Sequence, residues 1–263
     1  MTSNDDRLAR FGFFFGRGGS HIARTMMLGE LSTLLTRVCR PRAEKTDYLA
    51  AIEGENCLGK RSARTRQLTT RHLASLYSLD PSVCLFRALR YFWERDPSGH
   101  PLVALLCALT RDSVLRSTVS SILSTAEGEV ASREELEDFI DAKEPGRFSK
   151  ATLKSTAQNI NSTWTQSGHL KGRLRKVRSR ATATAGSASY ALFLGYLTGV
   201  RGSALFSTDY VRLLDCSPER TLELAEEASR RGWIVVKRVG DVVEVLFPNL
   251  INAREVEWIR EQD

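Results

Sequence analysis

Between Glu144 and Asp209 the sequence has no aspartate or glutamate, an absence that runs for 64 of the chain's 263 residues. An even spread of the 31 acids would place about seven in that window. Other scarcities exclude whole classes of protein. Glycine and proline, 18 and 7 residues, make up under a tenth of the chain, which excludes a disordered linker or a fibrous repeat. Long apolar runs are missing. The best candidate, residues 188–206, is broken by Gly195, Gly199, Gly202 and Arg201, so no membrane span is expected. The first ten residues lack the basic-then-apolar order of a signal peptide, because Asp5 and Asp6 come before Arg7. The five cysteines, Cys39, Cys57, Cys84, Cys107 and Cys216, are odd in number and scattered, which suits a reduced cytoplasm rather than a disulfide framework. His21, His72, His100 and His169 lie far apart with no cysteine or acid at ligand spacing, so neither a metal nor a cofactor is expected.

What the acid-free window does hold is ten bases: Arg147, Lys150, Lys154, Lys171, Arg173, Arg175, Lys176, Arg178, Arg180 and Arg201. The whole chain carries +7, so everything outside the window is net acidic. A polyanion-binding surface requires this depletion, since each carboxylate cancels a phosphate contact. A shorter acid-free run between Glu55 and Asp80 contains Lys60, Arg61, Arg64, Arg66 and Arg71.

Periodicity divides the chain into four stretches. Residues 1–24 read as irregular, an aromatic cluster from Phe11 to Phe15 followed by Gly16, Gly18 and Gly19. Residues 25–128 read as a helical bundle. Met27, Leu31, Leu34, Leu35 and Val38 form one apolar stripe ahead of a stop at Pro41, and Val83, Phe86, Leu89, Phe92 and Trp93 form another. Further helices are expected through Leu102–Leu109 and through Leu115, Val119, Ile122 and Leu123. Residues 129–186 open with a capping box at Ser132 and Glu135. Ser149 caps a second helix, with a stripe of Leu153, Ala157, Ile160 and Trp164 that Gly168 ends, and a basic extended arm follows. Helix, turn, helix and arm is the order of a winged helix-turn-helix. Residues 187–263 repeat that order: a helix to Thr198, a second over 203–214, a third capped by Ser217 and Pro218, then a hairpin turning at Val239-Gly240-Asp241. The expected fold class is mainly α, an N-terminal helical bundle followed by two winged-helix-like units with short β-hairpins.

At about 100° per residue, Lys150, Lys154, Gln158 and Asn161 share a side of the second middle helix. The ammonium groups suit phosphates and the amides suit base edges. Six bases in ten residues follow: Lys171, Arg173, Arg175, Lys176, Arg178 and Arg180. With Lys60, Arg61, Arg64 and Arg66 they form the expected DNA-contacting set. The third C-terminal helix carries Glu219, Glu223, Glu226 and Glu227, which repel phosphates and point to protein contact instead.

Several tempting motifs fail on chemistry. Gly54 to Lys60 mimics a phosphate-binding loop, but Arg61 stands where the Mg²⁺-binding hydroxyl belongs and no apolar strand precedes it. Asp138, Asp141 and Lys143 imitate a nuclease set, yet they lie on a capped helix rather than on strands. No Ser, His and Asp grouping can be argued from the sequence, and no enzyme is expected.

Glu55-Asn56, followed by Lys60-Arg61-Ser62 and Thr65-Arg66, resembles the signature of BrxA proteins of bacteriophage-exclusion (BREX) defence systems. The helical run through 102–122, the segment 135–140, and Phe148-Ser149 leading to Gly168-His169-Leu170 are similar in order and spacing, so the resemblance covers roughly residues 27–250. The family is often labelled as putative inner membrane proteins, a label this sequence does not support. The resemblance implies a cytoplasmic, non-catalytic, double-stranded DNA-binding accessory working with other components of a BREX-like complex. The alternative is a protein-interaction adaptor whose basic surface docks an acidic partner in the same complex.

Overall fold

The computed structural model describes residues 3–40, 42–240 and 242–260, so the expected stop at Pro41 and the turn residue Asp241 lie outside the described residues. The expected irregular start is instead a helix, α1 (Ser3–Phe11), with Asp5 and Asp6 in its first turn and Arg10 in its last. Those charges complement the helix dipole. Leu8, Phe11 and Phe13 turn into the core, and a 3-10 turn at Ser20–Ile22 buries His21 completely. Of the aromatic cluster, Phe11 and Phe13 belong to the core, whereas Phe14 is exposed.

The helices of the bundle are α2 (Leu28–Arg37), α3 (Lys45–Glu53), α4 (Ala63–Tyr77), α5 (Cys84–Arg95) and α6 (His100–Arg111). Both sequence stripes face inward: Leu31, Leu34 and Leu35 on α2, and Phe86, Leu89, Phe92 and Trp93 on α5. The single helix expected through Leu115 and Leu123 is two, α7 (Ser113–Ser117) and α8 (Val119–Ser124). The break falls at Thr118, whose buried hydroxyl donates to the Leu115 carbonyl at 2.7 Å and accepts from the Trp164 indole at 3.3 Å. A threonine bonded to its own backbone competes with helix continuation.

Next come α9 (Arg133–Lys143) and α10 (Lys150–Gln166), capped by Ser132 and Ser149 as their spacing requires. Strands β1 (Leu170–Lys171) and β2 (Val177–Arg178) pair antiparallel, Leu170 against Arg178 and Lys171 against Val177, and Val130 bridges to Val177 from the other side. The C-terminal third holds α11 (Ala185–Leu197), α12 (Asp209–Arg212), α13 (Pro218–Arg230), the hairpin β3 (Val235–Val239) and β4 (Val242–Leu246), and α14 (Ala253–Arg260). The helix expected over 203–214 is a 3-10 turn, Gly202–Ser207, followed by the single turn of α12.

The core does not stop at the stretch boundaries near residues 128 and 186. Twelve of the 13 residues of α11 are buried, and it packs on α5 and α6 on one side and α13 on another. The Asp96 carboxylate accepts from the Gly186 amide at 2.7 Å. A side chain at Gly186 would push Asp96 out of this contact, because its Cβ would lie 2.6 Å from that carboxylate oxygen. The two ends of the chain meet as well, with the Phe11 and Trp258 rings edge to face at 5.5 Å. Arg87 of α5 reaches Glu255 of α14, which is 2% exposed. Among the described residues, no helix is long and apolar enough to cross a membrane.

Candidate nucleic-acid interface

α10 is half anchor and half display. Its C-terminal half is bound into the core: Thr163 Oγ1 accepts from the Met26 amide at 2.9 Å, Asn159 donates to the His21 carbonyl, and Gln166 accepts from the Leu28 amide. Its N-terminal half leaves Lys150, Lys154 and Gln158 exposed at intervals of four, one side of a helix. Asn161, expected on the same side, is only 6% exposed and sits at the floor.

Beyond Gly168 (φ 89°) the chain reverses into β1 and β2. Gly172 (φ 98°) is the turn's hinge: a Cβ there would stand 2.2 Å from the Arg175 carbonyl oxygen. Lys176 closes the turn by donating to the Gly172 carbonyl at 2.8 Å. At the tip Leu174 is 98% exposed, with Arg173 and Arg175 exposed on either side. The tip stands across a cleft of about 540 Å³ from α10, lined by Ser132, Arg133, Gln158, Asn161 and residues 173–176, with Glu134 at its edge.

Arg178 does not belong to this surface. It is 7% exposed, and its guanidinium grips both carboxylate oxygens of Asp215 at 2.8 and 2.5 Å. Burial alone would raise the Asp215 pKa, but Arg178, the Ala181 amide and His169 hold it below the usual carboxylate range. His169 lies beneath, with Nε2 donating to the Leu213 carbonyl at 2.9 Å, which leaves Nδ1 to accept from the Ser167 hydroxyl. Burial depresses its pKa to about 4, with Asp215 opposing and Arg178 reinforcing the shift. Arg178 is thus the fastening of the hairpin's base, not a phosphate contact.

The acid-free stretch of sequence is also not acid-free in space. α9 and the turns around the hairpin supply carboxylates: Arg147 pairs with Glu144, and Arg180 with Glu127 at 3.3 Å. Lys154 lies near enough to Glu134 to favour its ionised form, after the Arg133 hydrogen bond that dominates. Lys150, Lys154, Lys171, Arg173 and Arg175 remain exposed, and they form no ion pair among the described residues.

The second basic run stands elsewhere. Lys60 pairs with Glu30 at 3.0 Å, and the Arg66 Nε is buried without a hydrogen-bond partner. Arg61 and Arg64 are exposed, and none of the four lines the cleft beside α10. The residues that carry the sequence resemblance here do local work: Glu55 pairs with Arg37, Asn56 accepts from the Lys60 amide, and Ser62 caps α4. On α13, Glu219 and Glu223 are exposed and Glu226 and Glu227 half-buried. Two of the four are matched, Glu223 by Arg220 and Glu227 by Arg231, so the helix is less acidic than its sequence.

One constellation has no local signal in the sequence. His21 Nδ1 donates to Asp112 Oδ2 at 2.8 Å, and Nε2 accepts from the Thr163 hydroxyl at 2.9 Å. The order is that of a hydrolase triad, but His21, Asp112 and Thr163 are each 0% exposed and the Thr163 oxygen already takes the Met26 amide. Asp112 also accepts from the Val114 and Leu115 amides. Burial would raise its pKa, yet the His21 ring and the Leu115 and His21 amides bring it below the ordinary carboxylate value. With no route for a substrate, the trio joins the 3-10 turn, α10 and the start of α7. The separations of 91 and 142 residues explain why no motif reveals it.

Compared with known proteins, the chain matches no protein family and no curated sequence.

Proposed function

We propose that residues 129–186 form a winged helix-turn-helix that binds double-stranded DNA without catalysis, α10 entering the major groove and the β1–β2 hairpin serving as the wing. The observation that carries this reading is the joint placement of five exposed cations, Lys150, Lys154, Lys171, Arg173 and Arg175, which form no ion pair among the described residues, on the exposed half of α10 and on the hairpin beside it. The order Val130, α9, α10, β1 and β2, with Val130 bridged to Val177, supports it. Gln158 is the one expected amide exposed to read a base edge. Together with the resemblance to BrxA proteins, this supports reading the chain as a DNA-binding accessory of a BREX-like phage-defence system. A gel-shift titration against random duplex at two salt concentrations tests it: affinity that falls steeply with salt is expected, and no binding at low salt refutes it.

A second role falls to the C-terminal unit, where Val239 and Val242 are 81% and 73% exposed at the tip of the β3–β4 hairpin. Apolar residues so presented, in a unit whose α13 also carries four glutamates, favour a protein partner over phosphates. Loss of pull-down of the other defence components by a Val239→Ser, Val242→Ser variant, with duplex binding retained, is the expected result.

A further inference from the structure

The β1–β2 hairpin ends in an apolar side chain that its own fold does not use. Leu174 is 98% exposed between two exposed arginines. Its position is built rather than left over. Gly172 supplies the left-handed turn, Lys176 closes it, and the base is fastened by Arg178 to Asp215. Such a turn holds its tip residue in solvent at the mouth of the cleft.

Resting on the duplex-DNA reading above, we infer that Arg173-Leu174-Arg175 is a minor-groove wedge, Leu174 pressing on a base step while the arginines follow the groove walls. Arg173 and Arg175 flank Leu174 on the turn and are exposed with it, so charge and apolar surface are presented together at a tip narrow enough to meet a groove roughly 6 Å wide. Narrow A·T-rich minor grooves concentrate negative potential and attract arginine, and apolar side chains inserted there partly unstack the bases. The cleft of about 540 Å³ between tip and α10 gives this arrangement its logic. With α10 in a major groove and the tip in the next minor groove, the strand of phosphates separating the grooves has to pass through it. Ser132, Arg133, Gln158 and Lys176 line that passage, and Glu134 is the one carboxylate on it. The chemistry selected is a flexible A·T-rich step in B-form duplex.

Titrations of the full chain against an A·T-rich duplex decide the matter. Leu174→Ser touches nothing in the fold, so it isolates the wedge. Burial of one leucine predicts about a tenfold loss of affinity with an unchanged salt slope. Arg173→Ala with Arg175→Ala also weakens binding but lowers the slope by about two. Netropsin, which occupies the A·T minor groove, displaces the wild-type protein. Full affinity of Leu174→Ser, with netropsin without effect on a protein that still binds duplex, would overturn the wedge and leave the major-groove reading standing. Failure of the wild-type chain to bind any duplex at low salt overturns both. A Leu174→Ser loss seen on phosphatidylserine vesicles and not on duplex would also overturn it, in favour of a lipid surface.

Discussion

Arg178 holds Asp215 across 37 residues of sequence, with each side chain 8% exposed. The pair ties the base of the β1–β2 hairpin to the turn after α12, so what aims the hairpin belongs to the C-terminal third of the chain. Breaking a buried pair by removing one partner leaves the other charge without compensation. Asp215→Asn should therefore cost about 3 kcal/mol, read as a fall in denaturant midpoint at constant slope. Arg178→Ala should lower stability similarly and leave the salt slope of duplex binding unchanged where the protein stays folded. A slope lowered by one, without loss of stability, would make Arg178 a phosphate contact after all.

Lys154, Arg173 and Arg175 lack ion-pair partners among the described residues. Each contact replaced by alanine should flatten the salt slope by about one, roughly three for the triple variant. Because the three are exposed, their melting temperatures should match the wild type.

Gln158 is the one fully exposed amide on α10, since Asn161 is 6% exposed. Phosphate contacts carry no sequence information. Selection from random duplexes should return shallow preferences, with A·T-rich steps beside a degenerate core. One strongly preferred site, lost in Gln158→Ala, would show that the helix reads more than it displays.

His169 makes stability depend on pH. Its pKa is near 4 in the fold against an ordinary 6.5, so the unfolded chain takes up the proton first as pH falls. The stabilisation is complete above about 6.5 and is lost progressively down to about 4, up to roughly 3 kcal/mol. The lowered Asp215 pKa adds a further loss at more acidic pH, below the ordinary carboxylate value of 3.8. Melting curves from pH 7 to 4 should show the fall, and His169→Gln, which cannot charge, should flatten it.

Truncation after Ser187 should not leave a folded DNA-binding remainder. It removes most of α11 from its packing on α5 and α6, and it removes Asp215. Loss of cooperative unfolding and protease sensitivity throughout are expected. A truncated chain that melts cooperatively and binds duplex would show that the bundle and α10 stand alone.

Local features were legible in the sequence and distant pairings were not. The caps at Ser132, Ser149 and Ser217 and the stripes of α2, α5 and α10 follow from spacing within a few residues. α1 was missed because its signal, two early acids and a late base, is overshadowed by the aromatics and glycines that follow. Charge counted along the chain misjudged charge in space. Glu127, Glu134 and Asp215 come from outside the acid-free window, and each lies beside one of its bases. The exposure of Leu174 was equally hidden, for a leucine in an alternating stretch looks like core until the turn at Gly172 lifts it out.

α11 has no polar side to leave in water, and this bears on how the chain is made. As it emerges from a ribosome, α5 and α6 are already available to it, but α13 and Phe247, which packs on Phe193 at 5.2 Å, have yet to emerge. Until they arrive, Leu192, Phe193 and Leu194 have only part of their eventual enclosure. Completion of the core is therefore a late event in synthesis, and chains released before α13 is made present an apolar helix that chaperones and proteases recognise.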